Sequence, residues 1–492
     1  MISHLPILQV IVPLMAAPLC LLLRRPSLVW LFALFASGAA FVISILLLQQ
    51  VMASGVISYE LGGWEAPWGI EYRIDKLNAF LLLIISAIST VVLIAAHTSI
   101  EKEIPAEKHT LFYVLYLLSL TGMLGIVSTG DAFNVFVFLE VSSLSAYALI
   151  ALGKDRRALW AAYQYLIMGT IGATFILIGI GLMYQMTGTL NMEDLSQRLP
   201  EVAHTRTVIA AFAFVIVGVC LKLALFPLHF WLPNAYAYAP SIVTAFFAAT
   251  ATKVAIYLLI RFTFSVFGVS FSFTTLPLQD LFLVLGLIGI FAASSVAIYQ
   301  HNVKHIFAYS SIAQVGYIIV GLSISTVSGL TATLLHLFNH ALMKSAIFLA
   351  LGAVVYRLGN TQLSSFHGLG RQMPLTMAAL VIGGLSLIGV PLTVGFISKW
   401  YLLTALIDNG WWPVAALILL GSVLAVIYVW RIVEVAYFKE PLIGAKPVKE
   451  APLLFLIPIW TLIIANIYFG IDSRLSLTVA QSAAESLFGV SK

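Results

Sequence analysis

Residues 218–262 read GVCLKLALFPLHFWLPNAYAYAPSIVTAFFAATATKVAIYLLIRF, and this stretch decides the fold. It is apolar enough to lie in a bilayer, yet it contains Lys222, His229 and Lys253. An ionised lysine at the centre of a membrane helix costs on the order of 3 kcal/mol, so it normally faces other protein or a wet cavity. Pro227 predicts a break in the first helix, because proline lacks the backbone N–H and clashes with the preceding turn. A broken helix beside a buried titratable group is typical of an ion pathway in a transporter.

The composition indicates a polytopic membrane protein. Of the 492 residues, 61% are hydrophobic and 9% are charged, and the mean hydropathy is +1.04. The net charge of +5 does not indicate a nucleic-acid partner, because most of the basic residues lie in the loops between apolar segments. Cys20 and Cys220 lie within apolar runs, which predicts neither a disulfide nor a metal site. The sequence has no phosphate loop, CxxC cluster or nucleotide fingerprint, so we expect no cofactor and no catalytic centre.

Hydropathy predicts an all-α fold with about fourteen transmembrane helices. The twelfth predicted span is too long for one straight helix and contains GVPLTVGFISKW, so we expect a second break at Pro391. The predicted spans are 5–23, 28–53, 77–97, 110–128, 131–153, 162–186, 207–231, 241–262, 281–299, 304–325, 329–355, 373–405, 412–436 and 452–470.

The basic residues orient these spans. If the N-terminus lies outside, the loops on the inner side carry about twice as many Lys and Arg residues as the outer loops. The sequence therefore predicts a multi-pass protein of the bacterial cytoplasmic (inner) membrane with its N-terminus on the outer side.

The order of the spans predicts an internal duplication. Two groups of five helices each contain a proline-broken helix with a lysine at the fourth position, and an odd number of spans requires the second group to be inverted. This divides the chain into an N-terminal three-helix region (1–109), a first repeat (110–262), a second inverted repeat (281–436) and a C-terminal span with its tail (437–492).

Glu140 lies well inside the fifth span, within DAFNVFVFLEVSSLSAYALIA. A carboxylate at that depth is expected to be neutral or paired with a cation, and Lys222 is the candidate partner. If their separation can change, the proton affinity of Lys222 changes with it. The alternative is a static ion pair that holds two helices together.

Lys253 lies in the middle of the eighth span. A buried lysine can release its proton whereas an arginine stays charged, so we interpret Lys253 as a stepping stone for protons. The alternative is a packing role in which the ammonium group binds backbone carbonyls.

His336, His340 and Lys344 recur at steps of four in HLFNHALMKSAIFL, which places all three on one helix face. Imidazole can both accept and donate a proton near neutral pH, so the set predicts a proton relay. Two histidines at this spacing could also bind a metal, but no third ligand is evident and we predict no metal site.

Four further residues are candidates for the two ends of the predicted proton relay. Lys399 follows the Pro391 break and could close the relay towards one membrane face. His229, Lys304 and His305 are candidate proton-uptake or gating residues. Interfacial anchoring for His229 and a topology signal for Lys304 and His305 are equally good interpretations.

These segments together resemble the proton-conducting antiporter-like subunit family. The resemblance rests on LKLALFPLHFWLPNAYAYAP, ATKVAIYLLIR, VKHIFAYSSIAQVGY, HLFNHALMKSAIFL and GVPLTVGFISKW, in this order along nearly the whole chain. The family includes the large membrane subunits of respiratory complex I, the membrane arms of energy-converting hydrogenases and the Mrp sodium/proton antiporters. Chain length and GGLSLIGVPLTVGFISKW are most similar to the D-type subunits of the Mrp antiporters. Asn234 departs from the family, in which aspartate is common at this position.

The resemblance implies fourteen helices with two inverted repeats and gives roles to the buried residues. Glu140 and Lys222 would be the coupling pair, Lys253, His336 and His340 the central relay, and Lys399 the terminal site.

Two classes of function follow from the resemblance. The first is a subunit of a multi-subunit Na⁺/H⁺ antiporter, whose partners are other membrane subunits, protons, Na⁺ and the lipid bilayer. The second is a proton-pumping subunit of a complex I-type NADH-quinone oxidoreductase or an energy-converting hydrogenase. A module of an inorganic-carbon uptake complex is a third class. The single mid-span carboxylate is too few oxygen ligands for a sodium site, so we expect cation passage in a partner subunit or at a shared interface.

Overall fold

The structure is a computed structural model that describes residues 4–441 and 447–489. Strands β1 (Ile57–Glu60) and β2 (Glu71–Ile74) form an antiparallel hairpin in which Ile57 is opposite Ile74. The α-helices of the described part are α1 Leu5–Leu19, α2 Pro26–Ser54, α3 Lys76–Glu103, α4 His109–Ser128, α5 Ala132–Ala151, α6 Arg156–Thr187, α7 Met192–Val202, α8 Arg206–Leu223, α9 Trp231–Tyr238, α10 Ser241–Ile260, α11 Leu278–Tyr299, α12 Val303–Ser323, α13 Val327–Leu358, α14 Leu369–Gln372, α15 Pro374–Ile388, α16 Val394–Asp408, α17 Trp412–Val433, α18 Leu453–Ile471 and α19 Arg474–Leu487.

The long helices confirm the predicted all-α polytopic architecture. Within the described ranges, 13 helices are long and apolar enough to cross a membrane. The twelfth predicted span, 373–405, is instead the pair α15 and α16, each 15 residues long. The arrangement of two inverted five-helix repeats and the four-part division of the chain stay predictions.

The first break is at the predicted place. Helix α8 ends at Leu223, Ala224 adopts a left-handed conformation with φ 58°, and the chain becomes helical again at Trp231. The Trp231 indole Nε1 donates a hydrogen bond of 3.0 Å to the carbonyl of Leu221, which also accepts one of 3.3 Å from the Ala224 N–H. Trp231 is 2% exposed and therefore acts as a buried cap at the end of α8.

The C-terminal boundary of the predicted span 207–231 was wrong. His229 lies inside the break and not at the end of a straight helix, because α9 extends the segment to Tyr238. The aromatic ring of His229 stacks between those of Phe226 and Phe230, at centroid distances of 5.2 Å each. Sequence analysis did not predict this short helix, which contains Pro233. A proline is tolerated in the first turn of a helix, because the backbone N–H groups there lack helical acceptors in any case.

The second break separates α15 from α16. Helix α15 ends at Ile388, and Gly389 (φ 93°) and Leu392 (φ 72°) both take positive φ values before α16 begins. The Asn339 side chain on α13 donates a hydrogen bond of 2.6 Å to the carbonyl of Val394. The predicted break at Pro391 is therefore confirmed, and a polar side chain from a neighbouring helix bonds the backbone at the start of α16.

Helix ends meet at two opposite faces of the bundle. At the first, which we call the Glu103 face, the Glu103 carboxylate accepts hydrogen bonds from the Ser241 backbone N–H (2.9 Å) and hydroxyl (3.0 Å), and its carbonyl accepts one from the Lys154 N–H. At the second, the Asp75 face, the β-hairpin packs against the loop that follows α4, where the Gly130 N–H donates to the Glu71 carbonyl.

Helices α10, α12 and α13 form the centre of the bundle. Nearly every residue of α10 and α12 and most residues of α13 are buried. By contrast, α2, α6, α11 and α17 expose apolar side chains such as Phe35, Leu159, Leu281 and Leu419. The central helices can hold polar side chains away from lipid, and they carry most of the predicted functional residues.

The C-terminal part contains a helix that the sequence did not predict. Residues 437–492 were expected to hold one span and a tail, but α19 follows α18 and buries Val479, Ala480, Ala483 and Ala484. Its apolar face is narrow and its other faces are polar, so it has no long hydrophobic run.

An ion pair between α3 and the end of the eighth predicted span stabilises the Asp75 face. Asp75 caps α3 and its carboxylate lies 2.8 Å from Arg261, with both side chains largely buried. Burial alone would raise the pKa of Asp75, but the Arg261 guanidinium and the capping N–H groups outweigh burial and hold the pKa below its usual range. This geometry gives Asp75 a structural role, as a helix cap and as the partner of Arg261.

We expect Asp75→Asn to destabilise the protein in detergent by on the order of 3 kcal/mol, because asparagine keeps the helix cap and leaves the Arg261 charge without its partner. Thermal unfolding followed by circular dichroism measures the change. Asp472→Asn is the matched control, since Asp472 also pairs with an arginine, Arg474, whose side chain is 89% exposed. Equal unfolding temperatures of the two variants would contradict a stabilising role for the Asp75 pair.

Candidate functional site

A row of lysine and histidine side chains crosses the interior of the bundle. Each is at most 8% exposed, although the chain is mostly apolar around them. The six residues are Lys222 on α8, Lys253 on α10, His336, His340 and Lys344 on α13, and Lys399 on α16. The structure thus brings together, on adjacent helices, side chains that are up to 177 positions apart in sequence, from Lys222 to Lys399.

Glu140 and Lys222 lie near each other without direct contact. The Lys222 ammonium donates a hydrogen bond of 2.9 Å to the hydroxyl of Ser143, which is one helical turn from Glu140 on α5. No ion pair within 4.0 Å joins Glu140 to Lys222 in the described part of the chain, and the Glu140 Oε1 atom is buried without a hydrogen-bond partner. Glu140 and Lys222 therefore form no ion pair in this conformation, and the ammonium of Lys222 bonds a serine instead. Their assignment as a coupling pair stays a prediction.

Glu140 is also partly exposed at the side of the bundle. Phe133, Val137 and Leu144 on the same helix are exposed, so this part of α5 forms an outer surface at membrane depth. A carboxylate facing lipid would be costly, so the surface around Glu140 is suited to contact with another protein chain.

Lys253 is completely buried. Its ammonium donates hydrogen bonds to the Ala248 carbonyl (2.5 Å) and to the Thr252 hydroxyl (3.4 Å), both on α10. Among the described residues it forms no ion pair with a carboxylate. These contacts match part of the packing alternative, but neutral acceptors do not lock the ammonium group in its charged form as a carboxylate would.

His340 is the member of the row without a hydrogen bond in the described structure. It is 0% exposed, and both ring nitrogens lack a partner among residues 4–441 and 447–489. His336 and Lys344 each lie one helical turn away from it on α13, and α10, which carries Lys253, packs against α13. A buried imidazole with two free nitrogens can accept a proton from one neighbour and donate one to another.

Both ring nitrogens of His336 form hydrogen bonds. Nδ1 is 2.8 Å from the Ser398 hydroxyl on α16, and Nε2 is 2.9 Å from Oε1 of Gln314 on α12. Its ring is almost parallel to that of His340, with the centroids 6.2 Å apart. His336 therefore connects the centre of α13 to the residue that precedes Lys399.

Lys399 forms hydrogen bonds with backbone carbonyls at the second helix break. Its ammonium donates to the carbonyls of Leu387 (2.9 Å) and Ile388 (2.8 Å) at the end of α15 and to the Ser422 hydroxyl (2.9 Å). It also lies 4.7 Å from the ring centre of Tyr317. Any change in the charge of Lys399 will alter the stability of the break, because its hydrogen bonds hold the two ends of the helices together.

Lys344 lies on the same helix as the two histidines but makes different contacts. Its ammonium donates to the Phe307 carbonyl (2.8 Å) and to the Ser310 hydroxyl on α12. Lys344 thus lies at the side of the row, near α12, while His336 lies nearer to α16.

The three candidate uptake or gating residues divide into two places. Lys304 and His305 begin α12 at the Glu103 face, where Lys304 donates to the Ala239 carbonyl (3.3 Å) and His305 is 3.4 Å from Asn234. His229 lies in the first break, and its buried Nδ1 has no partner among the described residues. The structure therefore does not bring His229 together with the other two.

Asn234 links these residues to α6. Its amide nitrogen donates a hydrogen bond of 2.8 Å to the Gln164 side chain, while its oxygen faces His305. An amide can bond both groups at once, since it is a donor and an acceptor. The departure from aspartate at this position therefore leaves a fully bonded neutral group.

Sequence reasoning missed the neutral partners of the row. Ser143, Ser310, Gln314, Ser398 and Ser422 contact its lysines and histidines directly. The signal that could have found two of them is spacing, since Ser398 directly precedes Lys399 and Ser143 lies one helical turn after Glu140. No pattern marks the others, because serine and glutamine are common in helices and do not carry charge.

We expect Ser143→Ala to slow proton movement through the chain by about tenfold, less than loss of a titratable group, because it removes the hydrogen bond that holds Lys222. The measurement is the rate of pH change in vesicles that contain equal amounts of each variant. Ser142→Ala is the control, because Ser142 has no hydrogen bond to Lys222. Equal rates for the two variants would contradict a role for Ser143 in positioning the lysine.

The described residues contain no group of three or more His, Cys, Asp or Glu side chains that could hold a metal ion. What they do contain is a series of groups that can gain or lose one proton each. The arrangement is suited to passing protons between the two helix breaks.

A family model matches the part of the chain that holds the row. Residues 129–426 match the family described as NADH:quinone oxidoreductase/Mrp antiporter, transmembrane. The matched range contains every candidate site residue named above.

Relatives of two kinds match nearly the whole chain. NADH-quinone oxidoreductase subunit N of Desulforudis audaxviator is 41% identical over 489 residues, covering 96% of each chain. The D-type Na(+)/H(+) antiporter subunit of Bacillus subtilis is 30% identical over 492 residues, covering 99% of this chain and 97% of the relative.

Solved structures match as completely. A chain of the Mrp complex from Dietzia sp. DQ12-45-1b superimposes with a TM-score of 0.91 at 24% identity, which demonstrates a shared fold. A chain of the membrane-bound sulfane sulfur reductase, an archaeal respiratory membrane complex, superimposes with a TM-score of 0.88 at 32% identity. In both cases 99% of this chain and 97% of the other are covered.

Proposed function

Since this chain belongs to the NADH:quinone oxidoreductase/Mrp antiporter membrane family, we propose that it is the proton-translocating subunit of a multi-subunit Na⁺/H⁺ antiporter. The observation that carries this proposal is the row of buried lysines and histidines between the two helix breaks. Buried titratable groups are costly in a membrane, and the row places six of them on the neighbouring helices α8, α10, α13 and α16.

Glu140 and Lys222 form the coupling pair, with Ser143 between them. In the described conformation Lys222 bonds the serine, so a small movement of its flexible side chain would bring it to the carboxylate. Contact with Glu140 favours the charged lysine, and separation favours proton release. Alternation between the two positions would couple a change at the side of the bundle to protonation at its centre.

Lys253, His340 and His336 form the central relay, and Lys399 is the terminal site. The 6.2 Å between the histidine ring centres is suited to proton transfer through an intervening water. His336 then reaches Lys399 through Ser398, its neighbour in sequence. Lys344 is a side branch that can store a proton near His340.

The protein lies in the bacterial cytoplasmic membrane with its N-terminus outside, and the Glu103 face is cytoplasmic. The excess of Lys and Arg in the loops at that face supports this orientation. Lys304 and His305 are then positioned for proton uptake from the cytoplasm, while His229 acts as a gate at the first break.

Partner subunits complete the antiporter. The partly exposed Glu140 surface supports contact with another membrane subunit, and the row is too rich in nitrogen donors to hold Na⁺, which prefers several oxygen ligands. Sodium passes through a partner or along the interface with it.

A sodium jump tests this function. Everted vesicles carrying the complete complex are loaded with a pH-sensitive dye, and Na⁺ is added in the absence of any electron donor. The expected result is sodium-dependent proton movement that is lost in Lys222→Ala. Absence of any sodium-dependent pH change in an assembled wild-type complex would overturn the antiporter assignment.

The 41% identity with an NADH-quinone oxidoreductase subunit favours a second candidate, a proton-pumping subunit of a redox-driven complex. The same proton path would serve either function. NADH or another donor supplied to the same vesicles distinguishes the two, because only the redox-driven complex acidifies them without sodium. Identification of the co-purified subunits by mass spectrometry gives an independent answer, since iron–sulfur or flavin subunits accompany only the redox assembly.

A further inference from the structure

A charged cavity opens at the Glu103 face, apart from the buried row. It has a volume of about 510 Å³ and is bounded by the end of α3, the α5–α6 loop, the α9–α10 turn, the start of α12 and the end of α13. Five basic residues line it, against two acidic ones. The basic residues are Lys102, Lys154, Arg157, Lys304 and Arg357.

Both acids in the lining are already bonded. Glu103 accepts hydrogen bonds from Ser99 and from the backbone and hydroxyl of Ser241. Asp155 forms an ion pair with Arg157 (2.7 Å), and the hydrogen bond from Arg157 lowers the pKa of the Asp155 carboxyl. The five basic groups outnumber the two acids, so the lining keeps an excess of positive charge.

Lys304 is the buried cation of the cavity. It is 4% exposed, and its ammonium has a single protein acceptor among the described residues, the Ala239 carbonyl at 3.3 Å. An ammonium group has three N–H donors, so two remain for a ligand. Lys304 forms no ion pair with any carboxylate in the described ranges of the chain.

Lys102 and Arg357 add charge at the rim. The ammonium of Lys102 lies 5.5 Å from the Tyr356 ring centre. Arg357 donates hydrogen bonds from Nε and Nη2 to the Glu450 carbonyl, and its Nη1 group takes no part in that contact. Both side chains have a net positive charge that no lining acid pairs with. A cavity with a buried ammonium and cationic rim attracts anions and repels Na⁺.

We propose that this cavity binds a phosphate-type oxyanion, held by Lys304 from below and by Lys102 and Arg357 at the rim. Lysine and arginine are the usual phosphate ligands of proteins, and basic pockets between membrane helices also bind the head groups of anionic lipids. Free phosphate and a phospholipid head group present the same chemistry to these side chains. The site requires neither antiport nor redox activity, so a binding assay tests it independently of transport.

The test measures binding of radiolabelled inorganic phosphate to the full-length chain in a neutral detergent, by equilibrium dialysis. The double variant Lys102→Gln/Arg357→Gln is expected to bind phosphate at least about tenfold more weakly than the wild type. The control double variant Lys108→Gln/Arg371→Gln removes the same charge from exposed residues at the same face and outside the cavity lining. We expect its phosphate affinity to stay within about twofold of the wild type.

A second arm identifies the source of the oxyanion. The chain is purified from nanodiscs of phosphatidylcholine with added phosphatidylglycerol, and the retained lipid is measured by native mass spectrometry. Loss of retained phosphatidylglycerol in the cavity variant but not in the control assigns the site to a lipid head group, even if free phosphate binds weakly. Lys304→Met provides an independent check of the buried ligand in both arms. If neither phosphate nor phosphatidylglycerol distinguishes the cavity variants from the control, the cavity is not an oxyanion site.

Discussion

A Glu140→Gln variant is expected to lose ion exchange by more than about 100-fold while the complex still inserts and assembles. Removal of a group that gives or takes a proton typically costs on that order or more. Glutamine keeps the shape of the side chain but cannot alternate between neutral and charged forms. The buried Oε1 atom of Glu140 accepts no hydrogen bond in the described structure. Exchange of this oxygen for an amide group therefore leaves no neighbouring donor unpaired.

Sodium-dependent pH change in everted vesicles measures this effect at matched protein level. Glu107→Gln is the control, because Glu107 is an exposed acid in the loop before α4. The same assay on Lys222→Ala should give the same loss, since either change removes one member of the pair. Normal exchange in an assembled Glu140→Gln complex would exclude the coupling role of the pair.

Lys253→Arg is expected to be nearly as inactive as Lys253→Met, although arginine keeps the charge. The relay needs a side chain that releases its proton, and guanidinium does not do so. Methionine keeps much of the volume of lysine without its charge, so the two variants separate loss of charge from loss of proton release. We expect both to lower the proton flux by about 100-fold or more.

The control for the arginine variant is Lys108→Arg on the exposed surface, which should leave the flux unchanged. Because Lys253 is completely buried, assembly of each variant is checked by size-exclusion chromatography before transport is compared. Wild-type flux in the arginine variant would mean that Lys253 only holds a charge in place.

Much of the framework follows from elementary properties of the chain. Long apolar runs predicted the spans. Inside a bilayer the backbone has no water to bond, so its N–H and C=O groups must form hydrogen bonds within a helix. Pro227 and Pro391 predicted both breaks because each removes a backbone donor. The buried lysines and histidines stood out because a charge inside a membrane is rarely present without a use.

The contacts between helices could not be predicted in the same way. The sequence named Lys222 as the candidate partner of Glu140 but did not specify whether the two side chains meet. The structure places Ser143 beside the lysine, because the rotation of α5 relative to α8 decides which side chain comes closest. The roles of Gln314 and Ser398 likewise depend on how α12 and α16 pack against α13.

Short and amphipathic elements were missed for a different reason. Helices α9 and α19 have 8 and 14 residues, too few for a hydropathy window that detects a span. The hairpin β1–β2 lies in a polar segment where a two-residue alternation is too brief to stand out. These elements are stabilised by packing against the long helices, which a single sequence does not specify.

The most direct test of proton conduction by the buried row is the proton flux of a His340→Leu complex. Both His340 ring nitrogens lack a hydrogen-bond partner in the described structure, so leucine removes the titratable group without breaking a hydrogen bond to the protein. The flux is recorded with a pH dye in proteoliposomes that contain the complete complex, after the driving gradient or electron donor that operates the wild type is applied. If the row conducts protons, the flux falls by about 100-fold or more while assembly and thermal stability are unchanged. A wild-type flux in a correctly assembled His340→Leu complex would show that protons take another path.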